Sequence, residues 1–400
     1  MQYLALCCIV KDEGPYIREW VLYHSLIGVE HFFIYDNGST PPVRESLSSR
    51  DSLADMPHVT ILNAPNRSMQ LPAYNHCLTE FGNNFKWIAF IDVDEFICLN
   101  GGTDLRPLLA EYEPYAGLAL SWRTFSSNGH ETRPDGPVIE NYTRYLKEEE
   151  SVHIKSIVQP RKTAGCRNAH AFGYLNGEYC VDEAFNPIPG GAPFWLPSHK
   201  RAWVNHYYFK SREDFAHKLT RGRNSVHQEN QPWWNMEIFN AHLTVPTLTD
   251  TTITRLAPRL KAALSGASDA SPYLPPRGMN AGELVATAAE RLAAGKPEEA
   301  LACLCHAAAP QETHDIWTMR ATFARLMRNL PAAAHFLRQA ARMGESPHMY
   351  AEMAEFAFAK KDAAKSAAAT ALLGGALTRA GITEGQWADK LRELTGRLCG

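Results

Sequence analysis

Short apolar runs alternate with amphipathic stretches through the first hundred positions. Tyr3–Val10 (YLALCCIV) is continuous, apolar and too short for a buried helix, so it predicts a buried strand. Pro15 then opens a helix in which Ile17, Trp20, Val21 and His24 share one face, and Gly28 ends it. His31–Tyr35 (HFFIY) predicts a second strand, stopped by the turn residues Asp36-Asn37-Gly38-Ser39. Val59–Leu62 predicts a third strand, Leu71–Phe81 a second helix, and Trp87–Ile91 a fourth strand. Strands alternating with helices imply an α/β domain with a mainly parallel sheet and right-handed crossovers. Ligands of such sheets bind beyond the carboxyl ends of the strands. Lys11-Asp12-Glu13, Asp36-Asn37 and Asp92–Glu95 all fall at such ends.

From about 115 to 210 the pattern loosens into strand-like pieces (Gly117–Trp122, His153–Gln159, Ala202–Tyr208) between Gly-, Asn- and Pro-rich loops, which suits a substrate-binding half on a mixed sheet. Ser211 and Asp214 resemble a capping box opening a helix over Glu213–Thr220. These features predict a first domain over 1–250 and a linker over 251–278, its Ser/Pro/Gly-rich part at 265–278. Residues 281–400 contain 31 alanines, about a quarter, and so predict an all-α domain over 279–400. Within it GKPEEALACL, RNLPAAAHFLRQA and KKDAAKSAAATAL recur, and Pro297 and Pro331 stand 34 apart. That period is the one of tetratricopeptide-like helical hairpins, whose surface could recruit a protein partner.

Composition narrows the chemistry. With 45% hydrophobic and 21% charged residues, wholesale disorder is excluded, and a net charge of −3 gives no basic field for nucleic acid. Nine scattered cysteines without a C-x-x-C pair argue against a disulfide framework or structural zinc and for a reducing compartment. The chain shows no signal-peptide pattern and no transmembrane-length apolar run. The expected location is cytoplasmic, with peripheral attachment at the inner face of a membrane left open.

The apolar run Trp87–Ile91 ends in Asp92-Val93-Asp94-Glu95, three carboxylates in four positions. Buried acids at a strand end need a neutraliser, and hard oxygen ligands suit Mg²⁺ or Mn²⁺. A metal there usually serves a phosphate, which points to a nucleotide-sugar donor. Strand alternation would set Asp92 and Asp94 on one side and Glu95 on the other. The bland alternative is a loop of surface acids capping the next helix. Asp36 could contact a base or ribose, or simply build an Asx-turn with Asn37-Gly38. His206 could complete the metal shell, although a lone histidine is more often structural. Lys210, Lys218, Arg221 and Arg223 could clamp a diphosphate or form a solvated basic face. No G-x-S-x-G or G-x-x-x-x-G-K-[ST] occurs, and no G-x-G-x-x-G lies in the first βα turn, so hydrolase, P-loop and dinucleotide chemistry lose their usual support.

The blocks CCIVKDEGPYIREWVLYHSLIGVEHFFIYDNGS, KWIAFIDVDEFI and VNHYYFKSREDFAHKLTRG together resemble the family 92-like glycosyltransferases, relatives of family 2 with the GT-A fold. The likeness covers roughly residues 3–225. It implies that Lys11 and Glu13 line the nucleotide pocket and that Asp36 contacts base or ribose. It further implies that Asp92 and Asp94 bind Mn²⁺ or Mg²⁺ with the donor diphosphate, and that His206 approaches that metal. His170 matches a histidine of the group without a derivable role, and Asp12 stands where Asn is commoner. Similar enzymes transfer a sugar with inversion, here from a UDP-hexose by default, to a glycan, lipid or protein acceptor. Inversion needs a carboxylate opposite the leaving group, and Glu183, then Asp182, are the candidates, against a surface turn. The rival expectation is a non-catalytic scaffold with a degenerate GT-A domain and partner-binding repeats.

Overall fold

The computed structural model describes all residues except 49–57, 148–151, 223–234, 267–274, 276–277, 309–313, 327–329 and 400. The chain divides into two compact units, Met1–Pro272 and Tyr273–Gly400. Four parallel strands build one half of the first unit's sheet: β1 (Gln2–Val10), β2 (His31–Asp36), β3 (His58–Asn63) and β4 (Phe85–Phe90). β1 lies between β2 and β4, and every residue from Tyr3 to Val10 is buried, as a continuous apolar run in a sheet covered on both faces requires. The first helix, α1 (Gly14–Leu26), buries the expected face of Ile17, Trp20, Val21 and His24. Gly28 follows at φ +101, where a Cβ would stand 2.5 Å from Asp104 Oδ1, so only glycine turns the chain there. The second helix expected from the pattern is α2 (Gln70–Phe81).

The other half of the sheet is mixed. Four strands matter here: β5 (Glu95–Leu99), β6 (Gly117–Thr124), β7 (Val152–Val158) and β8 (Ala202–His206). β7 runs antiparallel between β4 and β6. β8 pairs antiparallel with β5, setting His206 opposite Glu95, and parallel with the end of β6. α1 is tied to β5 by three hydrogen bonds. Trp20 Nε1 donates to Glu95 O (2.8 Å), Tyr23 Oη to Ile97 O (2.7 Å), and Ile97 N donates to His24 Nε2 (3.3 Å). Burial pushes the His24 imidazole down to about 3, against a hydrogen bond to Trp20 O that favours its charged form. A neutral ring protonated at Nδ1 satisfies both contacts, and the acid turn is thereby anchored from behind.

Ser211 caps α3 (Arg212–Arg221) by accepting from Asp214 N, as the capping pattern predicts. The stretch 251–278 differs from the expected linker. Thr252–Leu256 forms a 3₁₀ turn and α4 (Ala257–Leu264) buries Ala257, Leu260 and Ala263 while packing beside α1, because its apolar residues recur at helical spacing. Only the Ser/Pro/Gly-rich part fits a linker on sequence, and most of it lies outside the described residues.

The second unit is helical throughout its described residues: α5 (Ala281–Ala293), α6 (Pro297–Ala308), α7 (His314–Leu326), α8 (Leu330–Met343), α9 (Pro347–Ala359), α10 (Ala363–Arg379) and α11 (Gln386–Cys399). α5 packs with α6, α7 with α8, and α9 with α10. The three segments noticed in the sequence are the second helices of these pairs.

Candidate functional site

β4 stops at Phe90, and Asp92–Glu95 form a turn closed by Glu95 N donating to Asp92 O (3.0 Å). The turn breaks the strand alternation expected there, and it sends the acids in unexpected directions. Asp92 accepts from Lys155 Nζ (2.8 Å), Gln70 Nε2 (3.2 Å) and Tyr74 Oη (3.3 Å), while its own N–H donates to Glu95 Oε2 (2.9 Å). Asp94 faces Lys218 Nζ at 2.7 Å and His206 Nε2 at 3.7 Å. Glu95 is not turned away: Asp94, Glu95 and His206 each offer a ligand atom within 4.8 Å of the others, and Asp92 is not part of that group. Glu95 Oε1 is buried and has no hydrogen-bond partner. An orphaned buried oxygen in a set of two carboxylates and an imidazole fits a hard or borderline divalent cation.

Electrostatics separate the three groups. Burial, reinforced by Asp92 and Asp94 and opposed by Lys155, drives the Glu95 carboxyl well above the usual range. Burial also opposes ionisation of Asp94, but Lys218 and His206 prevail and hold it well below. Burial lowers His206, with Asp94 pulling the other way, so its 3.7 Å contact joins a neutral ring to a carboxylate.

A cavity of about 210 Å³ lies between the β1–α1 turn and α3. Four cations line it (Arg133, Lys210, Lys218 and Arg221), with aromatic walls from Tyr16, Tyr208 and Phe209. Lys210 Nζ stands 3.7 Å from the Tyr16 ring centroid and Lys218 Nζ 3.9 Å from that of Tyr208. Glu13 lies between Lys210 (2.9 Å) and Arg221 (2.6 Å), which overcome burial and keep its carboxyl below the usual range. Lys218 belongs both to this cavity and to Asp94, so cavity and acid turn form one continuous site. Asp12 and Lys210, both lining the cavity, are non-glycine residues with positive φ (52 and 49), a strain that clusters at binding sites.

Other candidates serve differently from the expectation. Asp36 accepts from Ser39 N (2.8 Å) and Val43 N (3.0 Å), so it builds its turn and reaches the cavity only through Thr40 and Pro41. Lys11 has an exposed side chain and contributes its carbonyl to Arg221 Nη1 (2.6 Å). Asp182 and Glu183, the expected bases, are engaged elsewhere. Asp182 takes Ala184 N, Asn186 N, Asn186 Nδ2 and Trp195 Nε1. Glu183 takes Ser198 Oγ and the N–H groups of Lys200 (2.6 Å), Arg201 (2.6 Å) and Ala202 (2.7 Å). Carboxylates so fully engaged organise the loops around them. Arg223 lies outside the described residues.

Lys155, which neutralises the acid turn, escaped sequence reasoning although one signal was present: it is the only cation in the apolar strand VHIKSIV. Arg133 and Tyr16, held together with Asp214, carry no such signal.

The first unit is thus an α/β domain with paired acids at a strand end and a cavity lined by cations and aromatic rings beside them. Residues 7–188 match the sequence profile described as Glycosyltransferase family 92. A glycosyltransferase family 92 protein of Oryza sativa subsp. japonica is 33% identical over 160 residues, covering 39% of this chain and 27% of its own length. One from Ricinus communis is 30% identical over 231 residues, 54% of this chain and 37% of its own. A galactan beta-1,4-galactosyltransferase of Arabidopsis thaliana is 29% identical over 121 residues, 28% of this chain and 24% of its own. The chain thus aligns with well under half the length of these curated relatives. Among the described residues no helix is long and apolar enough to cross a membrane.

Proposed function

We propose that this chain transfers a sugar, with inversion, from a nucleotide-diphosphate donor to a hydroxyl of a glycan, lipid or protein acceptor. One observation carries the proposal: in a chain that matches the family 92 profile, a four-cation cavity shares Lys218 with a buried Asp94–Glu95–His206 group that leaves one Glu95 oxygen unpartnered. Asp94, Glu95 and His206 would hold Mn²⁺ or Mg²⁺, which when bound supplies positive charge against the leaving diphosphate. The chain's own cations do the rest of the binding. Lys210, Lys218 and Arg221 exchange carboxylate partners for phosphate oxygens, and Glu13 and Asp94 keep them oriented beforehand. UDP-hexoses are the first donors to test, with UDP-galactose among them because one relative is named as a galactosyltransferase.

Thermal unfolding with UDP, GDP, ADP and CDP, each with and without Mn²⁺, tests the donor. One diphosphate should stabilise the protein, by about 2.7 kcal/mol at a hundred times its Kd, and more strongly with the metal. No stabilisation by any of them would remove the donor reading. The scaffold alternative draws support from one feature: Asp92 and Asp94 are each already matched by a lysine, Lys155 and Lys218. Slow Mn²⁺-dependent hydrolysis of the stabilising nucleotide sugar separates the two, since a degenerate site shows none.

A further inference from the structure

His170 and its surroundings are not used by the donor site. Register places Leu120 opposite Lys155 and Val204 opposite Trp122, so alternation sets Trp122, His153, Lys155 and His206 on one face of the sheet. β7 begins beyond the end of β4, and its first residues pair with Phe194–Trp195, Phe194 opposite His153. His170 closes on the Ile154 carbonyl through Nδ1 (3.0 Å).

These placements bring five rings into one surface. The Trp122 ring lies 4.0 Å from His206 and 4.7 Å from His153, tilted against both, and meets His170 edge-on at 5.1 Å, and Phe194 stands 4.0 Å from His153. Phe194 is 47% exposed, whereas His206 is buried at the acid turn. The surface therefore runs from solvent to the Asp94–Glu95–His206 group, and Tyr208, 5.3 Å beyond His206, leads on to the cationic cavity. Burial, Lys155 and His153 push His170 down to about 2, so its ring is neutral. Trp122 Nε1 is a buried donor without a hydrogen-bond partner.

We propose that Trp122, His153, His170 and Phe194 form the acceptor subsite, and that the acceptor is a neutral carbohydrate. The proposal rests on the glycosyl-transfer reading and narrows its open acceptor to one class. A sugar ring presents C–H faces that pack on aromatic rings and hydroxyls that bond to imidazole and indole nitrogens. An aliphatic chain has no use for those nitrogens, and a phosphate-bearing acceptor would want exposed cations, which Trp122, His170 and Phe194 do not supply.

The test uses the full chain and a β-1,4-linked galactotetraose, with cellotetraose, a Ser/Thr peptide and polyprenyl phosphate vesicles as rivals. Wild type should bind a tetrasaccharide in ligand-observed NMR. Phe194→Ala should weaken binding about tenfold and raise the acceptor KM equally, with the donor KM within twofold, and Phe194→Trp should restore both. The exposure of Phe194 makes loss of fold an improbable confounder, and unfolding temperatures check it. Tetrasaccharide binding indifferent to Phe194, or activity on the peptide or polyprenyl phosphate alone, overturns the proposal. A diphosphate titration on the same sample tells the two claims apart. If the diphosphate binds and no tetrasaccharide does, only the acceptor subsite falls; if neither binds, the donor reading falls with it.

Discussion

Asp182 and Glu183 lie as deep in the molecule as Asp94 and Glu95, and on residue type alone the two pairs are interchangeable. Their partners divide them. The first pair is bound mostly by backbone N–H groups, those of Ala184 and Asn186 for Asp182 and of the distant Lys200–Ala202 segment for Glu183. The second takes one backbone N–H, from Asp92 to Glu95, is otherwise met by a lysine ammonium and an imidazole, and retains an oxygen with no partner. Fixed dipoles make a carboxylate structural, whereas mobile cations and an unmet acceptor leave it free for a ligand.

The contrast breaks or holds on four measurements. Glu183→Gln should cost about 3 kcal/mol or more in urea unfolding of the first unit, since an amide sets a donor against backbone donors in a buried site. If that variant unfolds like wild type and loses only transfer, Glu183 is the base after all. Asp94→Ala should cut Mn²⁺-dependent donor turnover by more than about 100-fold in protein that is still folded, since even outer partners of metal ligands cost 10–100-fold. Full activity would dissolve the distinction from the other side.

His24 probes the scaffold behind the acid turn. Its folded pKa of about 3 lies below the unfolded value near 6.5, so the unfolded chain binds the extra proton as pH falls through 6.5. From pH 7 to 5 this one group should remove about 2 kcal/mol of stability, and His24→Gln should flatten the slope by that amount. An unchanged slope would mean that the ring is not held neutral. The smallest effect is expected at Lys218. Lys218→Met should tighten Mn²⁺ binding alone, read by calorimetry, because the ammonium no longer competes for Asp94, while weakening diphosphate binding about tenfold. Weaker binding of both would make Lys218 a mere prop for the turn.

The parallel half of the sheet was legible because its period is local: YLALCCIV, HFFIY and the i, i+3, i+4, i+7 face of α1 each declare burial within a dozen residues. The place of Glu13 came only from the resemblance, and Lys210, Lys218 and Arg221 were as consistent with a solvated face as with the cavity they line. What failed depended on distant backbone. Alternation across Asp92–Glu95 assumed a strand, but the chain turns there, and Glu95 joined Asp94 and His206 where Asp92 was expected. The donors that saturate Glu183 lie at Ser198 and Lys200–Ala202, and no spacing rule announces them. α4 was taken for linker because flanking Pro and Ser outweighed its short apolar repeat.

Glu95 and His206 are register partners on β5 and β8, yet the recognisable family segment ends at residue 188. A nascent or prematurely terminated polypeptide that exposes only that segment carries the acids without their imidazole, and without Lys210, Lys218 or Arg221. The acid–imidazole group is therefore completed late in synthesis, when the returning strand zips into place.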